Sequence, residues 1–486
     1  MTGRTAHRGL AVLAALAAVA LMPGAVASAA EPPAYRPAEG AKAAQGTPSA
    51  ADAPQITPGL YTDTIGRGET KYYAVTLDAK SSAYFSAVAA PAPGTKVEDS
   101  GDRMTVSVQD SSGSTCSTDA TPTFHGGGTA YPIADYASRR IGSDRPQCQE
   151  AGPYYLVISR EGAATSGPDS WPIEVGYLSE PALKGSTPGK PGEGSWSTAT
   201  PAPPTASGKR TAKGGTGFND AGSVGAGVWK DRILPGETRF YRVPVDWGQQ
   251  LNLRAELPNA KTGSTEYVSD ALGLGVYNPA RGAVSDDNFV PYDGKQAVAK
   301  EFTAPVAYGN RFHTTDAISA MRFAGWYYLE VTLHPDAAQF FPKGADLTLR
   351  VDVRGTPKPG PGYAGPAGDF SVTPEEREMA DKGQSEQEAA TSGTLRTVAY
   401  AGIGVGFVLL TGLVAWTVVA RRKAAAAGAP DVGGAALPGG GPQAPADGSW
   451  PGQPGQMFPR QGGQTPQDQQ GGQAPGDGQF GPPRGW

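Results

Sequence analysis

Residues 233–246 read ILPGETRFYRVPVD, and residues 65–78 read IGRGETKYYAVTLD. The two stretches lie 168 positions apart and share an isoleucine, Gly-Glu-Thr, a tyrosine, a valine and a closing aspartate in the same register. In both, the residues after the glycine alternate. Tyr241, Val243 and Val245 share one face of a strand and Phe240, Arg242 and Pro244 the other, with Tyr73, Val75 and Leu77 repeating the inward set. Gly68 and Gly236 fall where a tight turn is required, so backbone geometry explains them without chemistry. The strand that follows is expected to pair as a hairpin with the one after the DAKSS or DWGQQ turn, and Pro244 places its strand at a sheet edge.

The match extends outward. Residues 61–89 align with 229–257 without a gap, DRMTVSVQD at 102–110 aligns with DALGLGVYN at 270–278, and AGPYYLVIS at 151–159 answers AGWYYLEVT at 324–332. Further alternating sets follow: Leu251, Leu253, Ala255 and Leu257; Leu272, Leu274 and Val276; Tyr327, Leu329 and Val331; Leu347, Leu349, Val351 and Val353. A unit of short alternating strands occurring twice predicts a mainly β chain of two tandem antiparallel sandwiches, at residues 55–183 and 217–356.

The flanks predict location. Residues 1–29 have a basic start, a short apolar core and an Ala27-Ser28-Ala29 site, the pattern of a signal peptide cleaved after Ala29 or Ala30. An uncharged run from Val398 to Ala420 is long enough to cross a bilayer, and Arg421-Arg422-Lys423 after it predicts a cytoplasmic C-terminus. Within it Gly402 and Gly406 form a GxxxG pair compatible with helix dimerisation. Residues 30–54 and 184–216, rich in small and polar residues, read as disordered linkers, and the Gly/Pro/Gln-rich tail at 421–486 reads as disordered. Residues 357–397 read as a juxtamembrane stalk, with a short helix begun by the Thr373-Pro374-Glu375-Glu376 capping pattern and running to about Lys382. The only cysteines, Cys116 and Cys148, fall on the exported side and are expected to form a disulfide around a long irregular insert.

The order of signals in each copy, a GET turn, an aromatic pair leading a strand, an Asp-headed strand and AGxYYLxV, resembles the bacterial pre-peptidase C-terminal domain. That resemblance implies small jelly-roll-like sandwiches with a binding or secretion role. Where many members carry an acidic residue before the aromatic pair, this chain has Lys71 and Arg239. The architecture as a whole is similar to envelope proteins of high-GC Gram-positive bacteria.

Catalytic signatures are missing from the sequence: no G-x-S-x-G, H-E-x-x-H, P-loop or dinucleotide fingerprint occurs. After signal removal only His125, His313 and His334 remain, each isolated, and Asp286, Asp287 and Asp293 lack the spacing of a calcium loop. The expectation is therefore a non-enzyme without cofactor or metal. A net charge of −5 over 486 residues argues against a nucleic-acid surface. Trp247, Trp326 and Tyr328, read as exposed aromatics, are the candidate ligand contacts, the alternative being that Trp247 folds back over the sandwich edge and Trp326 plugs its end. The leading expectation is a single-pass envelope protein binding or scaffolding an extracellular protein or polysaccharide. A signalling or assembly protein whose tail recruits a cytosolic partner comes next, and an exported enzyme third.

Overall fold

The structure, a computed structural model, describes residues 32–142, 147–185, 202, 204–205, 210–260 and 266–391. The expected signal peptide, the span with Gly402 and Gly406, and the tail lie outside the described residues. Among the described residues no helix is long and apolar enough to cross a membrane.

The chain is mainly β. The first repeat comprises β1 (Lys42–Ala43), β2 (Gly59–Ile65), β3 (Thr70–Leu77), β4 (Ser82–Ala89), β5 (Arg103–Asp110), β6 (Ile133–Arg139), β7 (Gly152–Glu161) and β8 (Trp171–Glu180). The second comprises β9 (Arg210–Thr211), β10 (Gly222–Ser223), β11 (Gly227–Ile233), β12 (Thr238–Val245), β13 (Gln250–Leu257), β14 (Val268–Tyr277), β15 (Ala283–Tyr292), β16 (Ala297–Phe302), β17 (Gly325–Leu333) and β18 (Ala345–Arg354). Each repeat has two sheets. In the first they run β1-β2-β8-β4-β6 and β3-β7-β5; in the second the same order returns as β9-β11-β18-β13-β16 and β12-β17-β14, with β10 and β15 added at the edges. Ladders between long strands are antiparallel, while the two-residue strands β1, β9 and β10 pair parallel.

The alternating sets face a core between each pair of sheets: Tyr73, Val75, Phe85, Val106, Leu156 and Val175 in the first repeat, Tyr241, Val243, Leu253, Leu274, Leu329 and Leu349 in the second. The expected hairpins do not form. β3 pairs with β7 while β4 pairs with β6 and β8, so the DAKSS turn carries the chain from one sheet to the other, as DWGQQ does between β12 and β13. Alternation specifies which side of a strand is buried but not which sheet the strand joins. Pro244 lies on β12, whose outer neighbour β10 pairs only with Tyr241 and Arg242.

The repeated motif is a hydrogen-bonded clamp. Glu69 Oε2 accepts from the Gly66 N–H at 2.6 Å, and Glu237 Oε2 from the Leu234 N–H at 2.8 Å. Gly68 and Gly236 adopt φ of 75° and 78°. The buried hydroxyls of Tyr73 and Tyr241 donate to Asp63 and Asp231 at 2.8 and 2.7 Å, and the same carboxylates accept from the N–H groups of Gly46 and Gly214, each at 2.8 Å. A Cβ on either glycine would sit 2.7–2.8 Å from the tyrosine ring. Residues 32–54 are thus not a disordered linker, nor does the second sandwich begin at 217. The clamp needs Gly46 and Gly214, and β1 and β9 pair with β2 and β11.

The two repeats belong to one compact unit. Every position of β4 is buried. Phe85 and Ala87 face its own core, whereas Tyr84 and Val88 pack into clusters shared with the second repeat. Glu180 at the end of β8 receives Arg311 at 2.7 and 3.0 Å, Tyr84 at 2.8 Å and Tyr363 at 2.8 Å. Burial works to raise the Glu180 carboxyl, but the Arg311 guanidinium and these hydrogen bonds hold it below the usual carboxylate range.

The expected stalk is a strap over its described part, 357–391. Tyr363 bridges to Leu183, and Phe370 stacks on Phe323 with 4.6 Å between ring centroids. The helix Pro374–Lys382, with its Thr373–Glu376 capping box, then packs against β10 and β12. These segments look polar in sequence because each buries only one large side chain per few residues. The disulfide Cys116–Cys148 is present, with Cα atoms 5.5 Å apart. The insert it closes is not wholly irregular, since it contributes β6, and its Ala120 and Thr123 bridge to β5.

Candidate functional site

Between the repeats lies a cleft of about 870 Å³, within the range of small-ligand sites. Its floor is the outer face of the first repeat's larger sheet, where Ser86 on β4 stands opposite Gly176 on β8, with Leu60 on β2 beyond it. A Cβ on Gly176 would fall 2.5 Å from Ser86 Oγ.

The opposite wall is β17 of the second repeat. Trp326 and Tyr328 alternate on its outer face, and Phe218 packs edge-on against Tyr328 at 5.1 Å. Trp326 Nε1 donates to Glu376 on the strap helix at 2.8 Å. The Arg242 guanidinium lies 4.4 Å over the Trp326 ring, donates to Ser223 Oγ at 3.0 Å and pairs with Glu386 at 3.2 Å. Strap residues 366–370 and 386–390 and the N-terminal residues 36–39 complete the rim.

One end is sealed by a buried ion pair between Arg281 and Glu174. Glu174 also accepts from Asn219 Nδ2 at 2.9 Å and from the Ala38 N–H at 3.0 Å. Burial opposes charge on Arg281, but Glu174 beside it holds the guanidinium above its ordinary value. Burial likewise raises the Tyr328 hydroxyl, against the lowering by Arg242 and Arg281.

Of the sequence candidates, the fold brings Trp326 and Tyr328 together, both half-buried. Trp247 is not an exposed platform. It is 7% exposed and lies in a separate hollow against Gly360 of the strap. The hairpin tip that would have displayed it is instead the crossing between sheets. His313 and His334 accept from the N–H groups of Thr315 and Asp336, local turn contacts. Among the described residues no group of three or more His, Cys, Asp or Glu is placed to hold a metal ion.

Sequence reasoning missed Ser86, Gly176 and Arg242. The signal was present in SAYFSAVA, a β4 with no polar face, which implies burial on both sides. A second hollow, of about 680 Å³, borders the disulfide-closed insert, but its Arg311 is committed to Glu180 and its Arg322 to Ser319.

No family model matches the chain, and no curated protein matches it. Among solved structures, the tandem CBM51 modules of Sp3GH98, the family 98 glycoside hydrolase from Streptococcus pneumoniae, are similar at 9% identity and a TM-score of 0.18, over 61% of this chain and 83% of that one. The CUB1-EGF-CUB2 domain of human MASP-1/3 matches at 9% identity and a TM-score of 0.14, over 60% and 99%. The CBM22-1-CBM22-2 tandem of Paenibacillus barcinonensis Xyn10C matches at 12% and 0.16, over 62% and 92%. At such scores these likenesses carry no argument about the chain.

Proposed function

We propose that the chain is an exported, membrane-anchored envelope protein whose two repeats form one extracellular binding body, with the cleft between them as its site. The observation that carries this reading is the cleft itself, which exists only because both repeats and the strap are assembled. The Cys116–Cys148 disulfide supports an oxidising compartment. The sequence supports the anchor, with the N-terminus outside and the C-terminus inside. The resemblance to pre-peptidase C-terminal domains supports jelly-roll-like sandwiches in an accessory rather than catalytic role.

A second reading, transmembrane signalling, is favoured by one feature. Residues 386–390 line the cleft and lie just ahead of the expected span at Val398. Occupancy of the cleft is then felt by the segment that enters the membrane.

The test is site-specific photo-crosslinking in intact cells, with a photoreactive residue at Pro366 on the rim and a control at Lys300 on β16. Adducts from position 366 but not 300 are expected. No adduct from position 366, or equal adducts from both, overturns the assignment of the cleft.

A further inference from the structure

We propose that the cleft takes a segment of neutral, hydroxyl-rich glycan, an inference that rests on the cleft being the binding site. The polar groups that remain free define the ligand. Most of the charged lining is already committed: Arg242 to Glu386, Glu376 to Trp326, Glu39 to Gln387, and Arg281 to Glu174.

Four groups facing the cleft have no hydrogen-bond or ion-pair partner among the described residues: Ser86 Oγ, Tyr328 Oη, the Asp369 carboxylate and the Arg36 guanidinium. Ser86 is the most telling, being 4% exposed and yet unpartnered at the floor.

Their chemistry is complementary in kind. Asp369 only accepts, Arg36 only donates, and the two hydroxyls do both. Asp369 and Arg36 are exposed at the rim, where water serves them in the free protein; an anion would engage only the guanidinium and an ammonium only the carboxylate. A row of ligand hydroxyls, each able to donate and accept, satisfies all four.

Charge points the same way. Five carboxylates and three guanidiniums line the cleft, an excess of negative charge that disfavours a polyphosphate or polyuronate. Between the polar groups Leu60, Leu178, Trp326 and Tyr328 offer apolar surface to the C–H faces of sugar rings.

The test is calorimetric titration of the full chain in a detergent without a sugar headgroup. The probes are maltohexaose, cellohexaose, xylohexaose and mannohexaose, with poly(glycerol phosphate) as the anionic comparator. At least one neutral hexasaccharide is expected to bind and the polyphosphate not to. Tyr328→Phe and Asp369→Asn, which keep side-chain shape, should each weaken binding about three- to tenfold, the worth of one hydrogen bond, with the melting temperature unchanged. The inference is overturned if no neutral probe binds, if the polyphosphate binds more tightly, or if both variants bind as the parent does. Crosslinking from position 366 separates the two levels. A protein adduct without glycan binding removes the glycan while the cleft stands; neither adduct nor binding removes both.

Discussion

Glu69 and Glu237 close the same turn in each repeat, and Asp63 and Asp231 receive the same buried tyrosine hydroxyl. Repetition showed that these residues belong to the architecture; it did not show their partners, because Gly46 and Gly214 lie in stretches whose composition reads as linker. The constant spacing of 168 also joins those two glycines, which was the available signal.

Two glycine substitutions should separate two physical causes. Gly68→Ala meets no atom within 4 Å and is penalised only by its φ of 75°, a loss of about 1 kcal/mol. Gly214→Ala drives a methyl to 2.8 Å from the Tyr241 ring and should cost more, about 1–3 kcal/mol. Urea denaturation of both variants checks the order; equal losses would contradict it. Lys71 is tied to Asp63 at 3.0 Å, so the position serves the clamp.

At the scale of elements, strand existence and facing were legible and pairing was not. Period-two patterns identify the buried face of β3 and β4 equally well whether the strands pair with each other or lie in opposite sheets. Pairing is settled by neighbours far along the chain, β7 for one and β6 and β8 for the other. The strap was illegible for a different reason. Its anchors Tyr363 and Phe370 are isolated among glycines and prolines, and they are buried by distant surfaces that periodicity cannot reveal. Of the candidate site, Trp326 and Tyr328 were found because aromatics on an outer strand face are conspicuous, while Ser86 and Gly176 are ordinary until a second repeat covers them.

Phe370→Ala empties a position that is 2% exposed and packed on Phe323 and Tyr84. A destabilisation of about 3–5 kcal/mol is expected. Hydrogen exchange should rise across the helix Pro374–Lys382 in this variant. Unchanged exchange there would show that the strap does not depend on this anchor.

For the whole molecule, the junction at Glu180 ties the two repeats together. Its carboxyl is held below the ordinary value in the fold, so its contribution is complete above the unfolded value of about 4.3 and is lost as pH falls through the lower folded value. Glu180→Gln leaves Arg311 buried beside a neutral partner and should cost about 3–5 kcal/mol at neutral pH. The gap in melting temperature between parent and variant should then narrow as the medium is acidified below pH 4. A gap independent of pH would contradict this role for the carboxylate.

Topology is tested separately. Protease added to intact, wall-stripped cells should cut within 186–201 and spare a tag placed after Trp486; loss of the tag in sealed cells would reverse the proposed orientation.

The repeats form one body and not two beads on a linker. A specific protease site placed at residues 195–200 allows the folded chain to be cut and then passed through a sizing column under native conditions. The junction through Glu180, Arg311, Tyr363 and Phe370 predicts that the two halves elute together and part only in denaturant. Halves that separate in native buffer would contradict the shared body, and with it the cleft.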